Sequence, residues 1–185
     1  MFLLNGAKSI SNLVDINTSP RKSMLSPFLD YGGRRWRAVR GTETRDEPPR
    51  PPRSLQPLDR LRSLISSTVT DPDLLTTYAH AIAELEMSLL AREDPTASGM
   101  PCDVLDSVLW LWEVNETLLP LLKQQAPAQE AVAIFAHYCV LLKHHEGQWW
   151  LGGWGDHLMR RAWEVLDEEH RGWVGWAARE VGIVE

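Results

Sequence analysis

One stretch decides the fold of this chain: Ala131-Val132-Ala133-Ile134-Phe135-Ala136-His137-Tyr138-Cys139-Val140-Leu141-Leu142. His137 is its only strongly polar side chain, and no charged residue interrupts it. A helix that is apolar on all sides packs at the centre of a helical core. Proline favours the first turn of a helix and glycine follows the last one. We therefore predict a central buried helix that Pro127 opens, that runs to about His145 and that stops at Gly147.

Helical spacing continues on both sides of this stretch. Asp71-Pro72-Asp73 predicts a helix start, because an acid can cap the helix and proline fits its first position. The apolar face of the helix behind it is predicted to hold Leu74, Leu75, Tyr78, Ala79, Ile82, Leu85 and Leu89. Further helices are predicted for residues 58–65, 104–112, 115–122 with Asn115 as the cap, 155–166, and a last short one holding Trp173 and Trp176.

No run with a period of two is long enough to predict a strand, so the predicted fold class is all-α. We expect an irregular helical bundle with one long disordered or loop insertion. That insertion is residues 32–57, which are rich in arginine and proline and poor in apolar side chains. Residues 1–31 are predicted to be an N-terminal helical part, and residues 58–185 a helical C-terminal domain.

The charge is distributed unevenly along the chain. Residues 1–62 carry 12 Lys and Arg against 6 Asp and Glu, whereas residues 63–185 carry 7 against 19. An acidic surface repels nucleic acid, so we expect no DNA contact from this chain alone. The longest apolar stretch is too short to span a bilayer, and the N-terminus lacks the features of a signal peptide. The N-terminal segment has the pattern of a helix whose first part is missing, which suggests a truncated or partial chain.

The residues favour no enzyme and no metal site. Two cysteines, Cys102 and Cys139, cannot form a multi-cysteine zinc site. The sequence His145-Glu146 begins like a zinc-protease helix, but Trp149 occupies the position of the second histidine. No spacing unites a nucleophile, a base and an orienting group. We predict no catalytic residue, no metal ligand and no cofactor.

The candidate site is an apolar ligand pocket. Nine tryptophans occur, eight of them between residues 110 and 176, and they either pack the core or line a pocket. His137 is either a core histidine bonded to a neighbouring helix or a polar contact for the hydroxyl group of an apolar ligand. The predicted ligand-binding residues are Phe135, His137, Tyr138, Leu142, Trp150 and Trp154.

Three sequence segments resemble a known family. They are Ile134–Leu142, the double-tryptophan segment Trp149–Leu158, and Trp173–Trp176. In this order they resemble the C-terminal end of the regulatory domain of fungal zinc-cluster (six-cysteine) transcription factors, in the branch of the sterol uptake control proteins. Phe2–Ile10 resembles an earlier helix of that domain, and Pro72–Glu86 fits its middle loosely. The six-cysteine cluster that binds DNA in the family is missing from this sequence.

The resemblance implies a nuclear transcription regulator, of which this chain would be the ligand-sensing part. Its expected partners are a sterol-like apolar ligand and either a second copy or a transcriptional co-regulator. The alternative is a stand-alone sterol- or lipid-binding helical protein without DNA binding, located in the cytoplasm. The two hypotheses share the candidate pocket and differ in whether ligand binding changes transcription.

Overall fold

The computed structural model describes residues 55–93 and 104–183. The chain separates into two units, Met1–Gly41 and Thr42–Glu185, and all described residues belong to the second. These residues are 74% helical and contain no strand, which confirms the predicted all-α class. The helices are α1 (Gln56–Thr68), α2 (Pro72–Glu93), α3 (Val104–Glu113), α4 (Leu119–Leu122), α5 (Gln129–His144), α6 (Trp154–Val165), α7 (Glu168–Trp173) and α8 (Gly175–Val181).

The predicted N-terminal part, residues 1–31, lies outside the described residues, as does the predicted insertion up to residue 54. Helix α1 already begins at Gln56, just before the predicted end of the insertion. None of the helices in the described ranges is long and apolar enough to cross a membrane.

Helix α5 is the central helix, as its sequence predicts. Eleven of its residues are buried, including His137 and all the aliphatic side chains from Val140 to Leu142. The helix packs most extensively against α6 and also contacts α2, α3, α4, α7 and α8. It begins at Gln129, because Ala128 has an extended backbone and serves as the N-cap. Pro127 therefore precedes the helix and does not lie in its first turn.

Helix α2 begins where the acid-proline signal predicts. The Asp71 carboxylate accepts a hydrogen bond from the backbone N–H of Asp73 at 2.9 Å. Its predicted apolar face needs one correction, since Ala79 is exposed and Ala81 is buried. The buried stripe follows Tyr78 at helical spacing, and Ala79 is turned by about 100° from Tyr78 around the helix axis.

Helix α3 is fixed to α2 and α5 by aromatic side chains. The Trp110 Nε1 donates a hydrogen bond to the Ala81 carbonyl at 2.9 Å. The Trp110 ring stacks on Tyr138, with ring centroids 4.4 Å apart and an interplanar angle of 17°. After α3 the predicted Asn115 cap is wrong: α4 has only four residues and Leu118 is its N-cap. Asn115 lies in the preceding turn, where its N–H donates to the Trp112 carbonyl.

The last three helices, α6, α7 and α8, all pack against α5. Gln129 bonds to the corner between α6 and α7, because its amide accepts from Asp167 N–H at 2.9 Å and donates to the Val165 carbonyl at 3.4 Å. The single last helix that the sequence predicts is in fact two, α7 and α8, joined at Val174. Helix α8 ends at Val181, and Gly182 follows as its C-cap with a left-handed φ of 84°.

Candidate functional site

His137 lies in the middle of α5 and has no exposed surface. Its Nδ1 is 2.9 Å from the Ala133 carbonyl in the preceding turn of the same helix. A carbonyl only accepts hydrogen bonds, so Nδ1 is assigned the proton and Nε2 is left as an acceptor. The predicted bond to a neighbouring helix is therefore wrong, because the ring satisfies its donor within α5.

The other ring nitrogen, Nε2, is buried and has no hydrogen-bond partner. Burial lowers the pKa of His137 from 6.5 to about 4, and the Ala133 hydrogen bond opposes this shift only in part. The imidazole is therefore neutral near pH 7. An unpaired acceptor in an apolar interior is unusual, since nearly all buried polar atoms find a partner. Nε2 is therefore the atom of the candidate site that could most clearly accept a hydrogen bond from a ligand.

Trp176 of α8 packs against this imidazole. The two ring centroids are 5.8 Å apart and the planes are nearly parallel, at 23°. The indole is half-buried, whereas the imidazole is wholly buried. Trp176 is thus the outer member of the pair and covers His137 on the α8 side. Trp176 is not among the predicted ligand residues. It belongs to the segment Trp173–Trp176, which resembles the known family, and this position in the sequence could have indicated it.

Tyr138 and Phe135 belong to a different side of α5. Consecutive helical residues are turned by about 100°, and Tyr138 faces α3, where its hydroxyl donates to the Ser107 carbonyl at 3.2 Å. Burial raises the pKa of Tyr138 well above its usual value. Phe135, half-buried, lies with its ring centroid 5.7 Å from that of Tyr138. Both side chains thus join the aromatic cluster with Trp110.

The three remaining candidate residues lie at and beyond the C-terminal end of α5. Leu142 is buried in the last turns of the helix, and Trp150 is half-buried in the turns that follow. Trp154 begins α6 and meets His157 edge-on, with ring centroids 6.4 Å apart. The structure therefore brings together His137 with Trp176 and Phe135 with Tyr138. Among the described residues, the ring contact of Trp154 is with His157 and with neither of these pairs.

The turns after α5 are held by one lysine. The Lys143 Nζ lies 2.8 Å from a Glu146 carboxylate oxygen and 3.0 Å from an Asp156 carboxylate oxygen. These ion pairs raise the pKa of Lys143. Within residues 55–93 and 104–183, no three His, Cys, Asp or Glu side chains are grouped so that they could hold a metal ion.

Comparison of the chain with models of protein families, with curated proteins and with solved structures found no match in any of the three.

Proposed function

We propose that this chain is a ligand-sensing regulatory module of the zinc-cluster transcription factor type, and that His137 is the polar contact for its apolar ligand. The observation that carries the proposal is the buried Nε2 of His137, which has no hydrogen-bond partner and belongs to an imidazole stacked against the half-buried Trp176. Support also comes from the sequence resemblance, whose segments supply both residues. The ligand class is a sterol-like molecule, which combines a large apolar body with one hydroxyl group.

In the proposed binding step, the ligand takes the place of the Trp176 indole beside His137. A ligand hydroxyl donates a hydrogen bond to Nε2, and the ligand body replaces the Trp176 indole against the imidazole. Leaving a buried acceptor unpaired costs about 1–3 kcal/mol, so a hydroxylated ligand gains from this atom what a purely apolar one does not. Displacing Trp176 needs either a different rotamer of its side chain or a shift of α8, which follows α7 directly at Val174.

Regulation would then follow from a shift between two packings of the C-terminal helices. A ligand changes such an equilibrium only as far as it binds one packing better than the other. The ligand-bound packing would expose or hide a surface that a second copy or a co-regulator recognises. The proposed location is the nucleus, with DNA binding supplied by a zinc cluster that this sequence does not contain.

The geometry at His137 is unfavourable for catalysis. A general base works best when its pKa lies near the operating pH, whereas burial lowers the pKa of His137 to about 4. Its Nδ1 is already committed to the Ala133 carbonyl. We therefore propose a binding role for this imidazole and no enzymatic activity for the chain.

The test titrates the full chain with a 3-hydroxysterol and with its 3-deoxy analogue, following tryptophan fluorescence. We expect saturation at one equivalent and roughly tenfold tighter binding of the hydroxysterol, the ratio that about 1.4 kcal/mol provides. The His137→Leu variant should bind both sterols with equal affinity. His157→Leu, which changes an exposed histidine, is the matched control and should keep the preference. A flat titration, or equal affinities in the unchanged protein, would refute the ligand role of His137.

The same unpaired Nε2 also supports the second candidate, a stand-alone sterol- or lipid-binding protein without DNA binding. A reporter experiment separates the two. The full chain is fused to an unrelated DNA-binding domain, and transcription is measured with and without the hydroxysterol. A sterol-dependent change that His137→Leu abolishes favours the regulator. Sterol binding with no change in transcription favours the stand-alone binding protein.

A further inference from the structure

Helix α3 has two apolar faces, and the described fold uses only one of them. Trp110 is buried on the side where α2 and α5 pack, and the Ser107 carbonyl meets Tyr138 of α5 on the same side. Val108 and Trp112 lie on the other side, one turn apart, and expose 39% and 51% of their surface. The side chain of Trp110 is bonded into the core, so α3 cannot turn to bury both faces at once.

A helix that is apolar around its circumference is normally buried on all sides. Exposed apolar patches on soluble proteins mark interaction sites more often than isolated exposed residues do. Tryptophan is also among the residues that contribute most to binding at interfaces. The outer face of α3, defined here as Val108 and Trp112, therefore has the properties of a docking surface.

The charge around this face identifies the kind of partner. From Val104 to Leu122, which is α3 with the turn and short helix after it, the sequence contains three Asp and Glu and no Lys, Arg or His. Of these acids, Glu113 follows Trp112 directly and Glu116 is exposed in the turn after α3. A partner with the same charge would be repelled, whereas a basic one would be attracted and oriented. The acidic surroundings thus select a basic segment with an apolar anchor.

We propose that the outer face of α3 docks a basic, amphipathic peptide segment of another protein, with an apolar side chain of that segment against Trp112 and its Lys or Arg side chains beside Glu113 and Glu116. This interaction needs neither His137 nor a sterol, so it stands or falls independently of the proposed function. Because one tryptophan and one valine form its centre, the contact is small and the binding is expected to be transient.

The test uses the full chain and two short synthetic peptides with identical apolar positions. One peptide carries lysine at every polar position and the other carries glutamate. Binding is measured by fluorescence anisotropy of the labelled peptides. We expect saturable binding of the lysine peptide, weaker binding at higher ionic strength, and no binding of the glutamate peptide.

Two pairs of variants locate the site. Trp112→Gln should weaken binding of the lysine peptide by about tenfold or more, whereas Trp149→Gln, which removes a 91% exposed tryptophan elsewhere, should leave it within about twofold. Glu116→Lys should weaken binding severalfold, and Glu180→Lys, which makes the same charge change at an exposed position of α8, should have little effect.

Three results would overturn the proposal: no binding of the lysine peptide, equal binding of both peptides, or equal losses within a variant pair. A dimer in sedimentation that Trp112→Gln converts to a monomer, without peptide binding by the unchanged chain, would assign this face to a second copy instead.

Discussion

Replacing Gly155 by alanine tests the close contact between α6 and α5. A Cβ at this position would lie 2.9 Å from the Lys143 backbone nitrogen and 3.1 Å from both the Lys143 Cα and the Cys139 carbonyl oxygen. All three atoms belong to the backbone of α5, which cannot move aside as a flexible side chain can. Helix α6 must therefore shift away from α5 along its most extensive packing surface.

The expected size of the effect follows from two opposing contributions. Overpacking of this kind costs about 1–3 kcal/mol, and alanine recovers up to about 1 kcal/mol through its better helix propensity. We expect a net loss of about 1–2 kcal/mol in the free energy of unfolding. For a chain of this length each kcal/mol changes Tm by about 2–4 °C, so Tm should fall by about 2–8 °C.

Gly172→Ala is the matched control, because a Cβ there would meet no atom within 4 Å. Gly172 also lies in a helix, α7, so alanine should leave stability unchanged or raise it by up to about 1 kcal/mol. Urea denaturation followed by circular dichroism measures both variants under one condition. If Gly155→Ala proves as stable as Gly172→Ala, the close approach of α6 to α5 is wrong.

Three further predictions concern pH, a side-chain bond and a helix end. The pKa of His137 is about 4 in the folded chain, below the 6.5 expected in the unfolded chain. The unfolded chain therefore binds a proton more readily as the pH falls. Lowering the pH from about 7 to about 5 should reduce the free energy of unfolding by about 2 kcal/mol. Urea titrations should show that His137→Leu lacks this loss and that the exposed-site variant His157→Leu retains it; equal pH dependence in both would contradict the burial. Gln129→Ala removes two hydrogen bonds at the corner of α6 and α7 and should lower the free energy of unfolding by about 1–2 kcal/mol, with unchanged stability as the contrary result. Gly182→Ala forces a left-handed φ of 84° on alanine and should cost about 1 kcal/mol, measured as a lower Tm; a Tm equal to that of the unchanged protein would exclude the left-handed turn.

Local signals in the sequence predict most of the helices. The acid and the proline at the start of α2 act only on the first turn of the helix, and the Asp71 carboxylate makes the predicted capping hydrogen bond. The apolar composition of α5 likewise needs no knowledge of its neighbours to predict burial. The prediction that Asn115 caps the next helix is wrong for a different reason. An asparagine can equally occupy a turn, and in this chain the buried Leu118 and Leu119 fix where the next short helix begins.

The face of a helix is harder to predict when apolar residues are frequent. Both Ala79 and Ala81 fit a helical apolar stripe in α2, and hydrophobicity alone does not choose between them. The choice is made by the neighbouring helix, since the Trp110 indole bonds to the carbonyl of Ala81. In α3 the same ambiguity leaves Trp112 half exposed although Trp110 is buried. Such choices depend on tertiary contacts that the sequence pattern does not contain.

At the candidate site, too, the sequence pattern does not show which side of the helix each residue faces, and this changes the functional interpretation. His137 and Tyr138 are neighbours in the sequence and both are buried, so an apolar pattern places them in one pocket. Helical geometry separates them: the Tyr138 hydroxyl is paired with the Ser107 carbonyl in the α3 contact, whereas His137 faces Trp176 and keeps an unpaired nitrogen. A polar atom already paired adds little to a new ligand, while an unpaired one can accept a hydrogen bond without breaking one that the fold already makes. In the proposed function, ligand recognition therefore belongs to the α8 side of the central helix, and the Tyr138 side serves the packing that holds α5 in place.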